Sequence, residues 1–216
     1  MIKVELGPGV DPGLGSVVER VCLEVEPRVR AALPGLAEDM TVMVMATDRG
    51  IIPETGTGGS SYSPGRISFA FDPSRSDGPE ALIRAWLPST LFHELHHQAR
   101  GWVMHGGTGP DPFIHGAICE GLATAFERDE TGQAPPWADY PPEAKEWAVE
   151  LLALPMEYNY VHWMFAHPDG RRWVGYRTGT FIADRAMAAS GMGAGDLATV
   201  PTPDILAMAG LAEARR

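Results

Sequence analysis

One five-residue segment, His93-Glu94-Leu95-His96-His97, holds the side chains in this chain that are best suited to catalysis. On an α-helix, residues four positions apart lie on the same face, so His93 and His97 could bind a single zinc ion. Glu94 would then project beside the metal, where its carboxylate could accept a proton from a water molecule. The segment therefore predicts a zinc hydrolase, in most cases a peptidase, with Glu94 as the general base.

A catalytic zinc ion takes three protein ligands and leaves one position for water. Glu120 is the best candidate for the third ligand, beyond a glycine-rich stretch at 101–109 that is long enough to reverse the chain. It lies in a segment whose apolar residues recur with helical period, and Asp111 followed by Pro112 is typical of a helix start. We therefore predict one Zn²⁺ per chain, bound by His93, His97 and Glu120 on two helices, with small residues such as Gly121 allowing a close approach.

The segments HELHHQAR and ICEGLATAFE resemble the glutamate-zincin peptidases, and they are most similar to a bacterial family described as predicted zinc-dependent proteases. A later Trp-x-Gly-Tyr-x-x-Gly segment, Trp173 to Gly179, also matches that family. The resemblance covers roughly residues 65 to 215. It implies a metallopeptidase-like fold with His93, Glu94, His97 and Glu120 in the site, and it implies no particular substrate.

The resemblance also suggests which group would stabilise the oxyanion that forms during hydrolysis. Related proteins keep a tyrosine where this chain has Tyr176, which we predict to be catalytic, with His162 as the alternative. Thermolysin-like enzymes carry an aspartate one helical turn after the glutamate ligand to orient a ligand histidine. This chain has Thr124 at that position, and Glu127 is another candidate for the role.

Composition fits a soluble globular protein, since 44% of the 216 residues are hydrophobic and 21% are charged. We predict a single zincin-like catalytic domain over residues 1–216, with a sheet-containing lobe at 1–76 and a helical lobe at 77–216. The two cysteines, Cys22 and Cys119, lie in apolar helical patterns and are expected to be buried thiols. Cys119 is expected to point away from the metal, although it precedes Glu120.

The net charge and the hydropathy of the chain limit the partners that the protein can bind and the place in the cell where it can act. The net charge of −11 argues against nucleic acid, because phosphate contacts need clustered Lys and Arg. The first six residues do not form a signal peptide, and no stretch has the ~18 apolar residues that a membrane span needs. We therefore expect a cytoplasmic protein that acts on a peptide or protein substrate, with no membrane partner.

The pattern of elements predicts an α+β fold, with a small N-terminal mixed sheet and a helix followed by a helical lobe that carries the zinc helix. Alternation predicts strands at 2–6 and 66–72, and an apolar run predicts a central strand at 40–47. Periodicity predicts a helix at 16–33 that is capped by Ser16. The Gly/Ser/Pro-rich stretch at 50–65 is expected to be a mobile loop.

Two finer expectations concern the surroundings of the metal helix. By analogy with thermolysin-like enzymes, the strand at 67–71 is expected to lie at the sheet edge and to pair with substrate. Pro88 is expected to separate helical segments at 79–86 and 89–100, because proline removes a backbone hydrogen bond.

Two functions besides that of a peptidase fit the same residues. One is a zinc hydrolase that acts on a non-peptide substrate, since the site determines how water is activated and not which bond is cleaved. The other is a non-catalytic zinc-binding module that serves protein interaction.

Overall fold

The computed structural model of the protein describes residues 1–105 and 112–211. The chain forms two compact units, residues 1–107 and residues 108–216. The four strands of the described residues all lie in the first unit, and the second unit is helical. The predicted α+β class, with an N-terminal mixed sheet and a helical lobe, is confirmed. The prediction of a single catalytic domain stays a prediction.

The sheet of the first unit has the strand order β1-β2-β4-β3. Its strands are β1 (Lys3–Leu6), β2 (Thr41–Ala46), β3 (Thr57–Ser63) and β4 (Arg66–Phe71). The pairs β1–β2 and β2–β4 are parallel, whereas β3 runs antiparallel to β4. The apolar residues of β2 and β4 point alternately into the core, where Val42, Val44, Phe69 and Phe71 are at most 1% exposed.

Two helices pack on this sheet. Helix α1 (Gly15–Ala32) buries a valine-rich face, and helix α2 (Pro79–Arg100) buries every residue from Leu91 to His97. Helix α2 contacts β3 and β4 as well as α1. The sequence segment with the metal-binding pattern therefore lies on a helix that is held against the sheet.

The stretch at 50–65 was predicted to be a mobile loop, and this prediction is wrong. Residues 57–63 form β3, which is one of the two edge strands of the sheet. Its composition, Thr-Gly-Gly-Ser-Ser-Tyr-Ser, gives no apolar alternation, so the pattern that reveals a half-buried strand is missing.

The assignment of residues 67–71 to the sheet edge is also wrong, because β4 pairs with β2 on one side and with β3 on the other. The strand has the buried residues Ile67, Phe69, Ala70 and Phe71, as an inner strand covered on both faces should. Within residues 1–105 and 112–211, the edge on this side of the sheet belongs to β3.

Two expectations about helix ends and breaks need correction. Ser16 does not cap α1: the helix continues directly from a 3₁₀ turn at Pro12–Leu14, which Asp11 caps by accepting a hydrogen bond from the Gly13 N–H at 2.9 Å. Pro88 lies inside α2 and does not divide it. The carbonyl that loses its partner belongs to Arg84, an exposed residue where water can replace the missing donor.

The second unit contains six helices among the described residues. They are α3 (Phe113–Thr131), α4 (Ala144–Leu152), α5 (Tyr160–Met164), α6 (Val174–Ser190), α7 (Ala194–Leu197) and α8 (Thr202–Met208). Asp111, the predicted cap of α3, and residues 106–109 of the glycine-rich stretch lie outside the described residues. In the part of the chain that is described, no helix combines the length and the apolar character that crossing a membrane requires.

Helices α3 and α6 form the main packing of this unit, and two glycines allow their backbones to touch. A Cβ atom at Gly121 would lie 1.9 Å from the carbonyl carbon of Gly179, and one at Gly179 would lie 1.8 Å from the carbonyl oxygen of Ala117. Gly121, which was expected to permit a close approach to the metal helix, is thus needed for the contact with α6. Near the other end of the pair, Arg128 of α3 donates to Asp184 of α6 at 2.9 Å.

Candidate metal centre

The two histidines of the metal-binding pattern lie one turn apart on α2. Their ring centroids are 4.7 Å apart, and the side chains of His93 and His97 are 7% and 3% exposed. The helix ends at Gly101, whose left-handed backbone (φ 72°) turns the chain so that the Trp102 ring lies 4.7 Å from the His97 ring. Both imidazoles are therefore withdrawn from bulk water, as neutral metal ligands usually are.

Glu94, the proposed general base, is 6% exposed and lies where α2 meets the edge strand. The Ser61 hydroxyl of β3 donates to the backbone carbonyl of Glu94 at 2.7 Å. One turn later, Gln98 accepts from the Gly65 N–H at 2.9 Å and donates to the Ser63 carbonyl at 2.9 Å. These bonds fix the position of α2 along β3 at the turn that carries Glu94.

Glu120 lies in the middle of α3 and is 6% exposed. The predicted apolar stripe around it is confirmed, since Ala117, Ile118, Leu122 and Ala125 are all 0% exposed. A carboxylate in such surroundings is expensive to bury without a compensating charge or a set of hydrogen bonds. Thr124 and Glu127, the two candidates for orienting a ligand, are buried in the same helix.

His93, His97 and Glu120 are the group of three side chains, within residues 1–105 and 112–211, that could hold a metal ion. Each offers one ligand atom, these atoms lie within 4.8 Å of one another, and all three residues are buried. Two imidazole nitrogens and a carboxylate oxygen are a donor set that suits zinc in a catalytic site, with ligand distances of about 2.0 to 2.2 Å. The chemistry of the residues therefore fits the metal that the sequence predicts.

Tyr176 lies in the first turn of α6, where three aromatic rings surround it. The ring centroids of Trp137, Phe165 and Trp173 are 5.6, 6.0 and 5.7 Å from that of Tyr176. Trp173 precedes the helix with a positive φ of 59°, a conformation that is unusual for a bulky residue. The Trp-x-Gly-Tyr-x-x-Gly segment thus begins α6 and holds the tyrosine ring in a packed setting.

His162, the alternative to Tyr176, lies on the short helix α5 and is exposed. Tyr160 on the same helix was not identified from the sequence. The charge of Glu120, the proposed ligand, affects the pKa of its hydroxyl. Loss of water around that hydroxyl and the negative charge of Glu120 together raise the pKa of Tyr160. Its ring packs on Phe113 at a centroid distance of 6.0 Å, and Phe113 lies two turns before Glu120 on the same face of α3.

Four further histidine and cysteine residues lie outside the group of three proposed ligands. The Cys119 sulfur lies 3.6 Å from Nε2 of His115, and Nδ1 of His115 lies 2.7 Å from the Thr202 hydroxyl. Cys119 and Cys22 are both buried free thiols, as predicted, and burial raises the pKa of Cys22 to about 12. His96 is 0% exposed, so it does not lie on the surface of α2.

The sequence did not predict two residues of β3 that contact the helix of the metal centre. Gly59 and Ser61 of β3 both face α2 beside Glu94. The only signal available was the Gly58-Gly59 pair inside a polar stretch, which indicates turns more often than strands.

A comparison with family models identifies the class of the protein. The model described as "Predicted Zn-dependent protease (DUF2268)" matches residues 19–207, and the chain belongs to that family. Neither a curated protein nor a solved structure matches the chain. The match includes both helices that carry the buried His-His-Glu group, and it confirms the resemblance to the predicted zinc-dependent proteases.

Proposed function

We propose that the protein is a glutamate-zincin peptidase in which His93, His97 and Glu120 hold one zinc ion. The observation that carries the proposal is the buried group of these three residues, with ligand atoms within 4.8 Å of one another, in a member of a family described as predicted zinc-dependent proteases. Three ligands of this type leave a coordination position open for the reaction.

Bound zinc would polarise a carbonyl and lower the pKa of a water molecule toward ~7. Glu94 is the residue of this chain that would accept the proton released from that water and pass it to the departing amine. Burial beside β3 limits the space that the carboxylate can occupy, and the bond from Ser61 holds the backbone that carries it. Such a fixed base needs little rearrangement when the reaction begins.

The outer edge of β3 is the surface we propose for an extended peptide. Gly56, just before β3, accepts a bond from the Asp72 N–H at 3.0 Å. Up to the irregularity at Ser61–Ser63, the even-numbered residues of β3 therefore bond to β4 and the odd-numbered residues direct their backbone outward. Gly59 is one of these odd-numbered residues and is exposed, so its backbone N–H and C=O groups point away from β4. A peptide that adds to this edge would run directly beside Glu94.

Tyr176 is our proposal for the donor that stabilises the oxyanion. Its packed aromatic setting would limit the motion of the ring, as a preorganised donor requires. We expect Tyr176→Phe to lower kcat by about 10-fold to 1,000-fold while zinc content stays at the wild-type value. The measurement is kcat with a quenched-fluorescence peptide library, with His162→Ala as the comparison; unchanged turnover in Tyr176→Phe would remove this residue from the mechanism.

The test of the function begins with the zinc content of the purified chain by elemental mass spectrometry. We expect about one zinc per chain and hydrolysis of members of a peptide library. Glu94→Gln should keep its zinc and lose about 1,000-fold in kcat, because the base is removed and the ligands remain. Glu80→Gln, the same substitution at an exposed position of α2, should keep wild-type activity.

The alternatives give different results in the same experiment. Retained zinc without turnover of any library member would point to a non-peptide substrate or to an interaction module. Absence of zinc, and failure to acquire it on addition, would overturn the proposal of a metal centre.

A further inference from the structure

Gly59 of β3 makes an unusually close contact with α2. A Cβ atom built on Gly59 would lie 2.7 Å from Oε1 of Glu94 and 3.2 Å from its Cγ. It would also lie 2.5 Å from the Cγ2 atom of Thr90, one turn earlier on the helix. No side chain can be added at Gly59 unless the side chains of Thr90 and Glu94, or the helix that carries both, move.

The backbone of Gly59 does not itself require glycine. Its φ is not among the positive values that the described glycines adopt, and it continues a regular strand in register with Phe69 of β4. The residue is also exposed, so the outer side of the strand has room. The restriction comes only from the side that faces α2, where the Glu94 carboxylate lies.

The strand cannot easily withdraw to make room for a side chain. Ser61, two residues along on the same face, is bonded to the Glu94 carbonyl at 2.7 Å. Gln98 bonds to the turn after β3 through Gly65 and Ser63. Helix and strand are therefore tied on one side of Gly59, and an added methyl group would have to displace the Glu94 side chain or tilt α2.

We propose that Gly59 is a positioning residue for Glu94: the absence of a side chain at this point of the edge strand sets where the carboxylate of the general base lies. The inference rests on the proposed function and deepens it, because it names a residue that acts on the reaction through Glu94. It also explains why a strand beside the centre carries glycine where β-branched residues would pair more stably.

The test compares Gly59→Ala with wild type in zinc content, kcat, KM and the pH dependence of kcat, using the quenched-fluorescence peptide library. A misplacement of about 1 Å can cost roughly 100-fold in rate, so we expect kcat to fall by about that factor while KM changes little. The acid limb of the pH profile should shift, because the surroundings of Glu94 change. In cobalt-substituted protein, the pH dependence of the visible absorption should shift in the same variant without loss of the metal.

A double-mutant cycle separates this role from a general effect on the fold. Adding Gly59→Ala to Glu94→Gln should cost little further activity, because the residue through which it acts is already disabled. Gly35→Ala is the matched control, since an added Cβ there meets nothing within 4 Å. If Gly59→Ala folds poorly, Gly59→Ala with Thr90→Ser removes the tighter contact and leaves the one with Glu94.

Wild-type kcat and pH dependence in Gly59→Ala, or a further large loss in the Glu94→Gln background, would overturn the inference. Full recovery of kcat by Thr90→Ser would do the same, because the contact with the helix and not with Glu94 would then matter. Wild-type protein that binds neither zinc nor cobalt would instead refute the proposed function, so the two failures are distinguishable.

Discussion

Buried glutamates have two separate tasks in this chain. Glu120 and Glu94 lie at the candidate metal centre, whereas Glu26 holds α1 to the beginning of β1. Glu26 accepts from the Ile2 N–H at 2.9 Å and from Nε of Arg30 at 2.8 Å. Burial raises its pKa, but the hydrogen bonds from Arg30 and Ile2 and the nearby terminal ammonium outweigh this effect, and the pKa lies below its ordinary value of 4.5.

This lowered pKa leads to a prediction about stability and pH. Glu26→Gln should reduce the free energy of unfolding at pH 7 by about 1 to 3 kcal/mol, because bonds to a charged acceptor are weakened. A carboxyl group whose pKa is lower in the folded chain stabilises the fold at pH values above its pKa in the unfolded chain. This contribution is lost as the pH falls through its pKa in the folded chain. The difference between wild type and variant in urea unfolding should therefore shrink below about pH 4.5.

The control for this prediction is Glu24→Gln, at an exposed position of the same helix. It should change stability little at any pH. An equal loss in both variants, or a difference that does not depend on pH, would contradict the role given to Glu26.

Spacing alone was enough to predict part of the centre at the scale of single residues. His93 and His97 are one helical turn apart in any helix, so their shared face follows from the sequence. Gly59 could not be predicted, because its importance comes from a neighbour, Glu94, that lies far from it in sequence. Tyr160 was missed for the same reason, since its relation to Glu120 depends on how α5 folds against α3.

At the scale of elements, the pair α3 and α6 depends on two glycines that lie on different helices. Gly179→Ala would place a Cβ 1.8 Å from the carbonyl oxygen of Ala117, a position that backbone movement alone can relieve. We expect a loss of about 3 kcal/mol in the free energy of unfolding. Gly35→Ala should stay near wild type in the same denaturant titration; a similar stability for both variants would show that the helices are not in close contact.

Elements with strong periodicity were predicted well and β3 was not. The helical stripe around Glu120 and the alternation in β4 follow from residues that are buried. Strand β3 is built from Gly and Ser and is stabilised by its pairing with β4, so its conformation is decided by a partner and not by its own composition. The same pairing made β4 an inner strand.

At the scale of the whole molecule, metal binding should be linked to folding. A ligand that binds only the folded chain raises the free energy of unfolding by about 2.7 kcal/mol at 100 times its Kd. We therefore expect removal of zinc by a chelator to lower Tm, and restoration of zinc to recover it. Differential scanning calorimetry measures both steps.

Glu120→Ala is the variant that tests the assignment of ligands in this experiment. Its Tm should respond only weakly to zinc or to the chelator, because one of the three proposed ligands is gone. A wild-type response in Glu120→Ala would show that another residue completes the site.

The open edge of β3 also bears on how copies of the chain behave in concentrated solution. Exposed strand edges are sites where protein molecules stick together and aggregate. Here the Ile52 N–H bonds to the Thr57 carbonyl, and the Met104 and His105 N–H groups bond to Ser61 and Tyr62, so both ends of the edge are covered. The opening around Gly59 is shorter than the roughly six residues that stacked aggregates need. Among the described residues, the edge that stays open is long enough for a short guest strand and too short to seed self-association.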